Sequence, residues 1–147
     1  EQDVLKQVLR LDEFERKVKL RYDGFYVLGF IDTNDTNLTH ILDYKTGGEG
    51  KEKQYQSDGY TQLPLYALAL RQETGLQPSQ AHVNFIQRNG KAHLGEVLTV
   101  APVAPQMIPV DISYERLCRV YKETEEIAHE MSEFYLKHKG DKNNIND

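Results

Sequence analysis

The sequence predicts an α/β domain built on a central β-sheet, in which a three-stranded meander is joined by further strands and by helices. Two patterns predict it. Apolar and charged residues alternate with period two near the start of the chain, which is typical of strands, and apolar residues recur at helical spacing in the middle and near the end. The length of 147 residues fits one domain, which at that size buries a sizeable core without disulfides.

Composition excludes two classes of protein. With 39% apolar and 28% charged residues, the chain is too apolar for a disordered protein and too charged for a membrane protein. The 18 Lys and Arg against 23 Asp and Glu give a net charge of −5, which excludes a uniformly basic nucleic-acid coat but not a local basic stripe. We therefore expect a cytoplasmic protein with no membrane association.

The chain has one cysteine, Cys118, which excludes an intrachain disulfide and any multi-cysteine metal site. Cys118 lies in the last predicted helix, where we expect it in the core. The chain opens at Glu1 instead of Met, and we interpret it as an excerpt of a longer protein. Apolar residues at helical spacing within Glu1–Asp12 leave the structure of that segment open.

Three strands are predicted in meander order. Arg16–Tyr22 alternates strictly between apolar and basic residues, so one face is buried and one is wet. Asp23-Gly24 is a two-residue hairpin turn. Phe25–Asp32 is nearly continuous apolar sequence, which favours a strand covered on both faces. After a polar turn, Thr39–Lys45 forms the third strand.

A loop over Gly47–Lys53 and a helix follow the meander. The helix begins with Ser57 or Asp58 as its cap and ends near Thr74, before a glycine. Pro64 would lie inside this helix, where it removes one backbone hydrogen bond and should kink the helix.

Two more strands and a long helix complete the prediction. Ala81–Arg88 and Ala92–Val100 form a hairpin through Asn89-Gly90. Ser113–Lys137 forms an amphipathic helix, although a capping box would need Glu or Gln where Arg116 stands. Its inward residues are expected to be Leu117, Val120, Ile127, Met131 and Phe134. Residues 1–139 make one domain, and residues 140–147 make a flexible polar tail.

Three charged residues stand at the ends of apolar strands, where such groups are costly. Asp43 and Lys45 are two positions apart, so they share one face of their strand while Tyr44 faces away. A short hairpin joins this strand to the one that ends at Asp32, which would bring both carboxylates into one site. At ~4 Å they would repel by about 4 kcal/mol at an effective dielectric constant of about 20. A shared proton, Lys45 or a divalent cation would offset this repulsion. Oxygen ligands favour magnesium or manganese over zinc.

Each of these motifs also has an ordinary structural interpretation. An Asp-x-Lys pair at a strand end is also the pattern of a surface ion pair. Gln62 and Tyr66 share one face of the middle helix, where they either support a site or simply face solvent. Three basic residues alternate along the first strand, and they are either a solvated face or a DNA contact. These residues are Lys17, Lys19 and Arg21.

Three blocks in order resemble a known family. They are Gly29-Phe30-Ile31-Asp32, then Ile41-Leu42-Asp43-Tyr44-Lys45-Thr46-Gly47, then Gln62-Leu63-Pro64-Leu65-Tyr66-Ala67. Together they resemble the RecB-like branch of the PD-(D/E)XK nuclease superfamily, over roughly Glu15 to Arg88. The resemblance implies a restriction-endonuclease-like fold, with a mixed sheet flanked by helices, and an enzyme that cuts DNA with Mg²⁺ or Mn²⁺.

The resemblance also assigns roles to residues of this chain. Asp32 and Asp43 would be metal ligands, together with the backbone carbonyl of Tyr44, and Lys45 would be the catalytic lysine. The helix residues Gln62 and Tyr66 would support the site and contact DNA. Glu15 occupies the place of an upstream acidic residue in this branch, although the match is looser.

Two departures from the family pattern stand out. The branch often carries a histidine on a helix before the first strand, and the first histidine here is His40. Some relatives carry a cysteine cluster that binds iron and sulfur, which Cys118 alone cannot form. We therefore expect no iron–sulfur cluster.

The leading hypothesis is a metal-dependent DNA nuclease domain. We expect an exonuclease-type enzyme of DNA repair, recombination or phage DNA processing, working with a helicase or recombination partner or with the rest of its parent chain. The alternative is a module that keeps the nuclease fold and binds or docks without cutting. A third possibility is an RNA-directed or nucleotide-directed hydrolase.

Overall fold

A computed structural model of the chain describes residues 13–146, with side chains except at residue 92 and over 139–146. Within these residues, six strands form one sheet, flanked by two α-helices and two short 3₁₀ helices. The elements are β1 (Glu13–Tyr22), β2 (Phe25–Asn34), β3 (His40–Gly47), a 3₁₀ helix (Lys51–Gln56), α1 (Gln62–Thr74), β4 (Gln80–Asn89), a 3₁₀ turn (Ala92–Leu94), β5 (Thr99–Val100), β6 (Gln106–Pro109) and α2 (Tyr114–Asn146). The predicted helical spacing within Glu1–Asp12 lies outside the described residues. No helix in the described part is long and apolar enough to span a membrane.

The first hairpin forms as the alternation predicts. β1 and β2 pair antiparallel up to Tyr22 and Phe25, which leaves Asp23-Gly24 as the two-residue turn. Gly24 has a φ of 89°, a conformation that glycine adopts without steric cost. Val18 and Leu20 of β1 are buried, so the apolar half of the alternation packs into the core.

The outer edge of β1 is covered by side chains of α1. The backbone amide of Lys19 donates to Glu73 Oε1 at 2.9 Å, and that of Arg21 donates to Gln72 Oε1 at 2.7 Å. Gln72 Nε2 donates in return to the carbonyl of Arg21 at 2.8 Å. An exposed strand edge is a template for unwanted pairing, and these bonds satisfy part of this edge.

The prediction that β2 is covered on both faces is wrong. Ile31 packs into the core, but Tyr26, Leu28 and Phe30 on the opposite face are 57%, 46% and 53% exposed. Within the described residues, the helix α1 covers only the inner face of the hairpin. The continuous apolar run therefore reflects one buried face and one exposed apolar face.

The predicted mixed sheet is confirmed. β2 pairs antiparallel with β3, and β3 pairs parallel with β4 from His40 and Gln80 onward. A parallel pair needs a crossover connection, and α1 provides it. β5 and β6 both pair antiparallel with β4, so the sheet has strands of both directions.

The predicted strand Ala92–Val100 is wrong, and β6 was not predicted. Only Thr99 and Val100 pair with β4, opposite its last two residues, so residues 90–98 form a wide loop instead of a tight turn. β6 pairs with β4 and ends at Pro109. Proline is tolerated on an edge strand, where its missing N–H faces away from the ladder. In sequence analysis, however, proline argues against a strand, so β6 is missed.

The predicted start of the middle helix is wrong, and so is the predicted kink. α1 begins at Gln62, after Thr61 as its N-cap, and residues 57–61 form a turn. Pro64 is therefore the third residue of the helix. The first N–H groups of a helix have no intrahelical partner, so proline there removes no hydrogen bond. The predicted end at Thr74 is confirmed.

The last helix is longer and less buried than predicted. α2 continues to Asn146, so the predicted polar tail is helical in its described part. Leu117 and Val120 are buried as expected, but Cys118 is exposed. The predictions for Ile127, Met131 and Phe134 are also wrong, since these side chains are 57%, 67% and 65% exposed. In the described residues, the contacts of α2 with the body of the domain extend to His129, whose ring centre lies 6.4 Å from that of Phe25.

Candidate active site

Strands β2 and β3 pair over a short stretch and then diverge, and the candidate site lies where the pairing ends. Their described pairing is confined to Thr33 with Leu42 and Asn34 with Ile41. Beyond that point, the carboxylate of Asp32 replaces the ladder, because Asp32 Oδ2 accepts a hydrogen bond from the backbone N–H of Tyr44 at 2.9 Å.

Asp43 and Lys45 lie side by side on β3, as their spacing predicts. The Lys45 Nζ atom lies 3.0 Å from Asp43 Oδ2. Asp43 is almost fully buried at 2% exposure, while about a third of the Lys45 side chain is exposed. Tyr44, between them, is 45% exposed. The site therefore joins a buried carboxylate to a lysine that solvent and a substrate can reach.

The ionised form of Asp43 is disfavoured in the protein without a bound cation. The pKa of Asp43 is raised to about 6, first by burial and then by the neighbouring Asp32 carboxyl, against the opposing effect of Lys45. The structure thus brings Asp32 and Asp43 into one site, where part of the charge is uncompensated. Like charges at such a site favour a proton or a cation.

The donor atoms fit a hard divalent cation. No group of three or more His, Cys, Asp or Glu side chains in the described part of the chain is arranged to hold a metal. Two carboxylates are nevertheless the usual protein contribution to a Mg²⁺ site, which fills its other positions with water and substrate phosphate. The absence of sulfur and imidazole at Asp32 and Asp43 fits magnesium or manganese better than zinc.

Tyr60 contacts the site, although sequence analysis does not select it. Its hydroxyl donates to Asp43 Oδ2 at 3.2 Å, the same oxygen that Lys45 contacts. Burial and the charge of Asp43 raise the pKa of Tyr60 well above its usual range, so the phenol stays neutral and acts as a donor. Tyr60 stands in an irregular turn before α1, where no periodic pattern marks it.

Gln62 and Tyr66 form a fixed pair on α1. Gln62 Nε2 donates to the Tyr66 hydroxyl at 2.9 Å. The ring of Tyr66 lies on the backbone of Gly29 in β2, where any side chain would collide with it. The pair therefore docks α1 onto the strand that carries Asp32, and it contacts Asp32 and Asp43 through no described hydrogen bond.

Glu15 lies close to the site in the pairing register of β1 and β2. Phe14 pairs with Thr33 and Arg16 with Ile31, so Glu15 stands across from Asp32. Its φ of 53° is unusual for a residue other than glycine, and such backbones concentrate at functional sites. Its side chain is exposed and makes none of the described contacts to Asp32 or Asp43.

The basic residues of β1 lie opposite the exposed apolar residues of β2. The paired positions are Lys17 with Phe30, Lys19 with Leu28, and Arg21 with Tyr26. Lys19 Nζ also lies 4.4 Å from the centre of the Tyr26 ring. This face is an amphipathic surface on the β1–β2 hairpin.

A cavity opens beside Lys45. It measures about 530 Å³, and one wall is the segment that links the first 3₁₀ helix to α1. Its lining residues are Lys45, Gln54, Tyr55, Ser57, Gly59 and Tyr60. A group bound there would contact the exposed side of the lysine.

Comparison with known proteins identifies a family and similar solved structures. The family model of the PD-(D/E)XK nuclease superfamily matches residues 1–139. Among solved structures, a predicted exonuclease from Eubacterium rectale is similar, with a TM-score of 0.45 and 11% sequence identity, covering 85% of this chain and 48% of its own. This chain thus spans about half the length of that protein. Comparison with curated proteins gives no match.

Proposed function

The chain belongs to the PD-(D/E)XK nuclease superfamily, and on that premise we propose that it is a metal-dependent DNA nuclease domain of the RecB-like branch. The observation that carries the proposal is the buried carboxylate of Asp43, held 3.0 Å from Lys45 and next to Asp32. A purely structural ion pair would be weakened by a second carboxylate, because the second carboxylate adds repulsion. We further propose an exonuclease of DNA repair, recombination or phage DNA processing, cytoplasmic and working with a helicase, a recombination partner or the rest of its parent chain.

Asp32 and Asp43 would hold Mg²⁺ or Mn²⁺, with the backbone carbonyl of Tyr44 as a further ligand. Glu15, across from Asp32, is the candidate for an additional carboxylate. When bound, such an ion stabilises the charge that builds up on the phosphate during hydrolysis.

Lys45 would act on the attacking water. Its ammonium group is tethered to Asp43 Oδ2, and its exposed part lines the cavity beside the site. From there it would orient a water molecule for in-line attack on the phosphorus and supply a proton donor close to the phosphate. The contact with the Asp43 carboxylate holds this lysine in place.

DNA would contact the site through residues on two elements. Gln62 and Tyr66 of α1 would support the site from the side of β2. The basic residues of β1 would attract the phosphate backbone electrostatically. They are Lys17, Lys19 and Arg21.

The test is cleavage of linear duplex and single-stranded DNA with Mg²⁺ or Mn²⁺. We expect Asp43→Asn and Lys45→Ala to lose about a hundredfold or more in rate, the usual cost of removing a group that acts on the reacting atoms. Glu49→Gln and Lys53→Ala, at exposed positions of the neighbouring loop, are matched controls and should cut normally. Equal cutting by Asp43→Asn and wild type would overturn the proposal, and a preference for RNA would overturn the DNA assignment.

A further inference from the structure

Arg116 is a buried charged residue at a helix position where the sequence pattern favours Glu or Gln. It is only 4% exposed and stands in the first turn of α2, where a capping box would place Glu or Gln. Ser113 still caps the helix weakly, since its Oγ accepts from the Arg116 backbone N–H at 3.4 Å. A buried charge is expensive unless it is paired or hydrogen-bonded, so the side chain must have a specific partner.

That partner is the backbone of the turn before α1. Arg116 Nη2 donates to the carbonyl of Asp58 at 2.8 Å and to the carbonyl of Tyr60 at 3.0 Å. The Asp58 carboxylate is 3.7 Å from Nη1, but it is 85% exposed. Exposed ion pairs contribute little, so the two carbonyl bonds are the main link. Arg116 therefore fixes the path of the turn on both sides of residue 59.

The turn carries the tyrosine that contacts the site. The Tyr60 hydroxyl donates to Asp43 Oδ2 at 3.2 Å, and its ring packs edge-on against Tyr55, with the ring centres 5.2 Å apart. The backbone of Tyr60 is thus held by Arg116, and its side chain is held by Tyr55 and Asp43. Two hydrogen bonds, one to the Tyr60 carbonyl and one from its hydroxyl, therefore link α2 to the site carboxylate through Tyr60.

We propose that Arg116 is a positioning residue, which places the Tyr60 hydroxyl so that it fixes the orientation of Asp43. The inference rests on the proposed function, because it treats Asp43 as a metal ligand. Lys45 and Tyr60 both contact Oδ2 of Asp43, and two donors on one oxygen define the rotation of the carboxylate. Groups that orient a metal ligand commonly change metal affinity by 10–100-fold when they are removed.

The experiment measures binding of Mn²⁺ alone by calorimetry, without DNA. Tyr60→Phe removes the hydroxyl and keeps the ring, and Arg116→Met removes both carbonyl bonds while keeping an extended side chain. We expect each to weaken Mn²⁺ binding by about tenfold. Arg116→Lys keeps a charged donor of shorter reach and should recover part of the loss.

A double variant separates positioning from general stability. Because Arg116 acts through Tyr60, adding Arg116→Met to Tyr60→Phe should weaken Mn²⁺ binding by less than about twofold beyond Tyr60→Phe alone, as expected for coupled residues. Additive losses would overturn the inference. If Arg116→Met does not fold, Arg116→Lys takes its place in the same cycle, and normal Mn²⁺ binding by folded Tyr60→Phe overturns the inference by itself.

Two controls are matched to the proposed contacts. Arg119→Met, one turn along the same helix, removes a guanidinium that lies 3.9 Å from the Asp58 carboxylate. Asp58→Asn removes the exposed carboxylate and keeps the backbone carbonyl. Both should bind Mn²⁺ within about twofold of wild type, since neither touches the carbonyl bonds. A loss in Arg119→Met equal to that in Arg116→Met would contradict the positioning role.

The outcomes distinguish this inference from the proposed function. If wild type binds no Mn²⁺, or if Asp43→Asn binds it normally, the proposed metal site is wrong. If Mn²⁺ binding depends on Asp43 but is insensitive to Tyr60 and Arg116, the metal site stands and the positioning role is wrong.

Discussion

The ring of Tyr66 lies directly on the backbone of Gly29. A Cβ atom at position 29 would lie 3.0 Å from Tyr66 Cζ and closer still to Cε1, and the hydroxyl of the same ring accepts a bond from Gln62. The absence of a side chain at Gly29 therefore lets α1 approach the strand that carries Asp32. The contact between Gly29 and Tyr66 therefore accounts for a glycine in the first of the three sequence blocks and a tyrosine in the third.

Gly29→Ala should destabilise the protein by about 1–3 kcal/mol, the usual cost of overpacking a close contact. The new methyl group would push the Tyr66 ring off β2 and strain the bond to Gln62. Urea unfolding followed by circular dichroism measures the change. Gly48→Ala is the matched control, because a Cβ at Gly48 meets no atom within 4 Å.

A double variant tests the physical cause. Tyr66→Leu removes the ring that Gly29→Ala would strike, so the two substitutions together should cost less than the sum of their separate costs. If their costs add, the contact between Gly29 and Tyr66 does not explain the glycine. The same conclusion follows if Gly29→Ala is as harmless as Gly48→Ala.

Local patterns predicted the parts of the fold that depend on neighbours in sequence. The alternation before Asp23-Gly24 specified the first hairpin, because a period of two admits one buried face and a two-residue turn sets the register. The same rule placed Asp43 and Lys45 side by side. These elements are determined by residues a few positions apart, so the sequence shows them directly.

The sequence could not show contacts between distant segments. Tyr60 reaches Asp43 from a turn whose backbone Arg116 binds, and neither residue belongs to a periodic pattern. The spacing of Ile127 in α2 has the form of a core face, but whether a helix face is covered depends on what packs against it. At this level of α2 the described body is contacted by His129, which packs edge-on against Phe25, and Ile127 stays 57% exposed.

The location of Pro64 separates its effect on hydrogen bonding from its effect on packing. It lies in the first turn of α1, where its missing N–H would have no helical partner, but the residue is buried. Pro64→Ala should therefore lower the free energy of unfolding by about 1–2 kcal/mol, from the apolar carbons that it removes from the core. Leu68→Pro, four positions on in the helix interior, should cost about 3 kcal/mol or more. A loss in Pro64→Ala as large as that in Leu68→Pro would contradict this prediction.

The pKa of Asp43 predicts an unusual pH dependence of stability in the metal-free protein. Its pKa rises from an ordinary value of 3.8 to about 6 in the folded state, so between these values the folded state binds more protons than the unfolded state. This contribution to the free energy of unfolding therefore falls as pH rises, and the loss is complete above about pH 6. From pH 4 to pH 7 it amounts to about 2 kcal/mol.

Asp43→Asn isolates this effect, because asparagine does not titrate. The difference in unfolding free energy between variant and wild type should move by about 2 kcal/mol in favour of the variant between pH 4 and pH 7. Urea unfolding of both proteins with a chelator present measures it, and the subtraction cancels the carboxylates that do not interact with Asp43. A difference that stays constant with pH would show that Asp43 titrates normally.

The basic residues of β1 predict a salt dependence of DNA binding. Lys17 and Arg21 are exposed and stand on the strand next to the one that carries Asp32. If each neutralises one phosphate, changing both to Gln lowers the slope of log affinity against log salt by about 0.9 per contact on duplex DNA. Binding is measured by fluorescence anisotropy at several salt concentrations, in an Asp43→Asn background so that the DNA stays intact. Lys122→Gln with Lys137→Gln removes two exposed charges of α2 and should leave the slope unchanged. If both pairs lower the slope equally, only net charge matters and DNA does not follow β1.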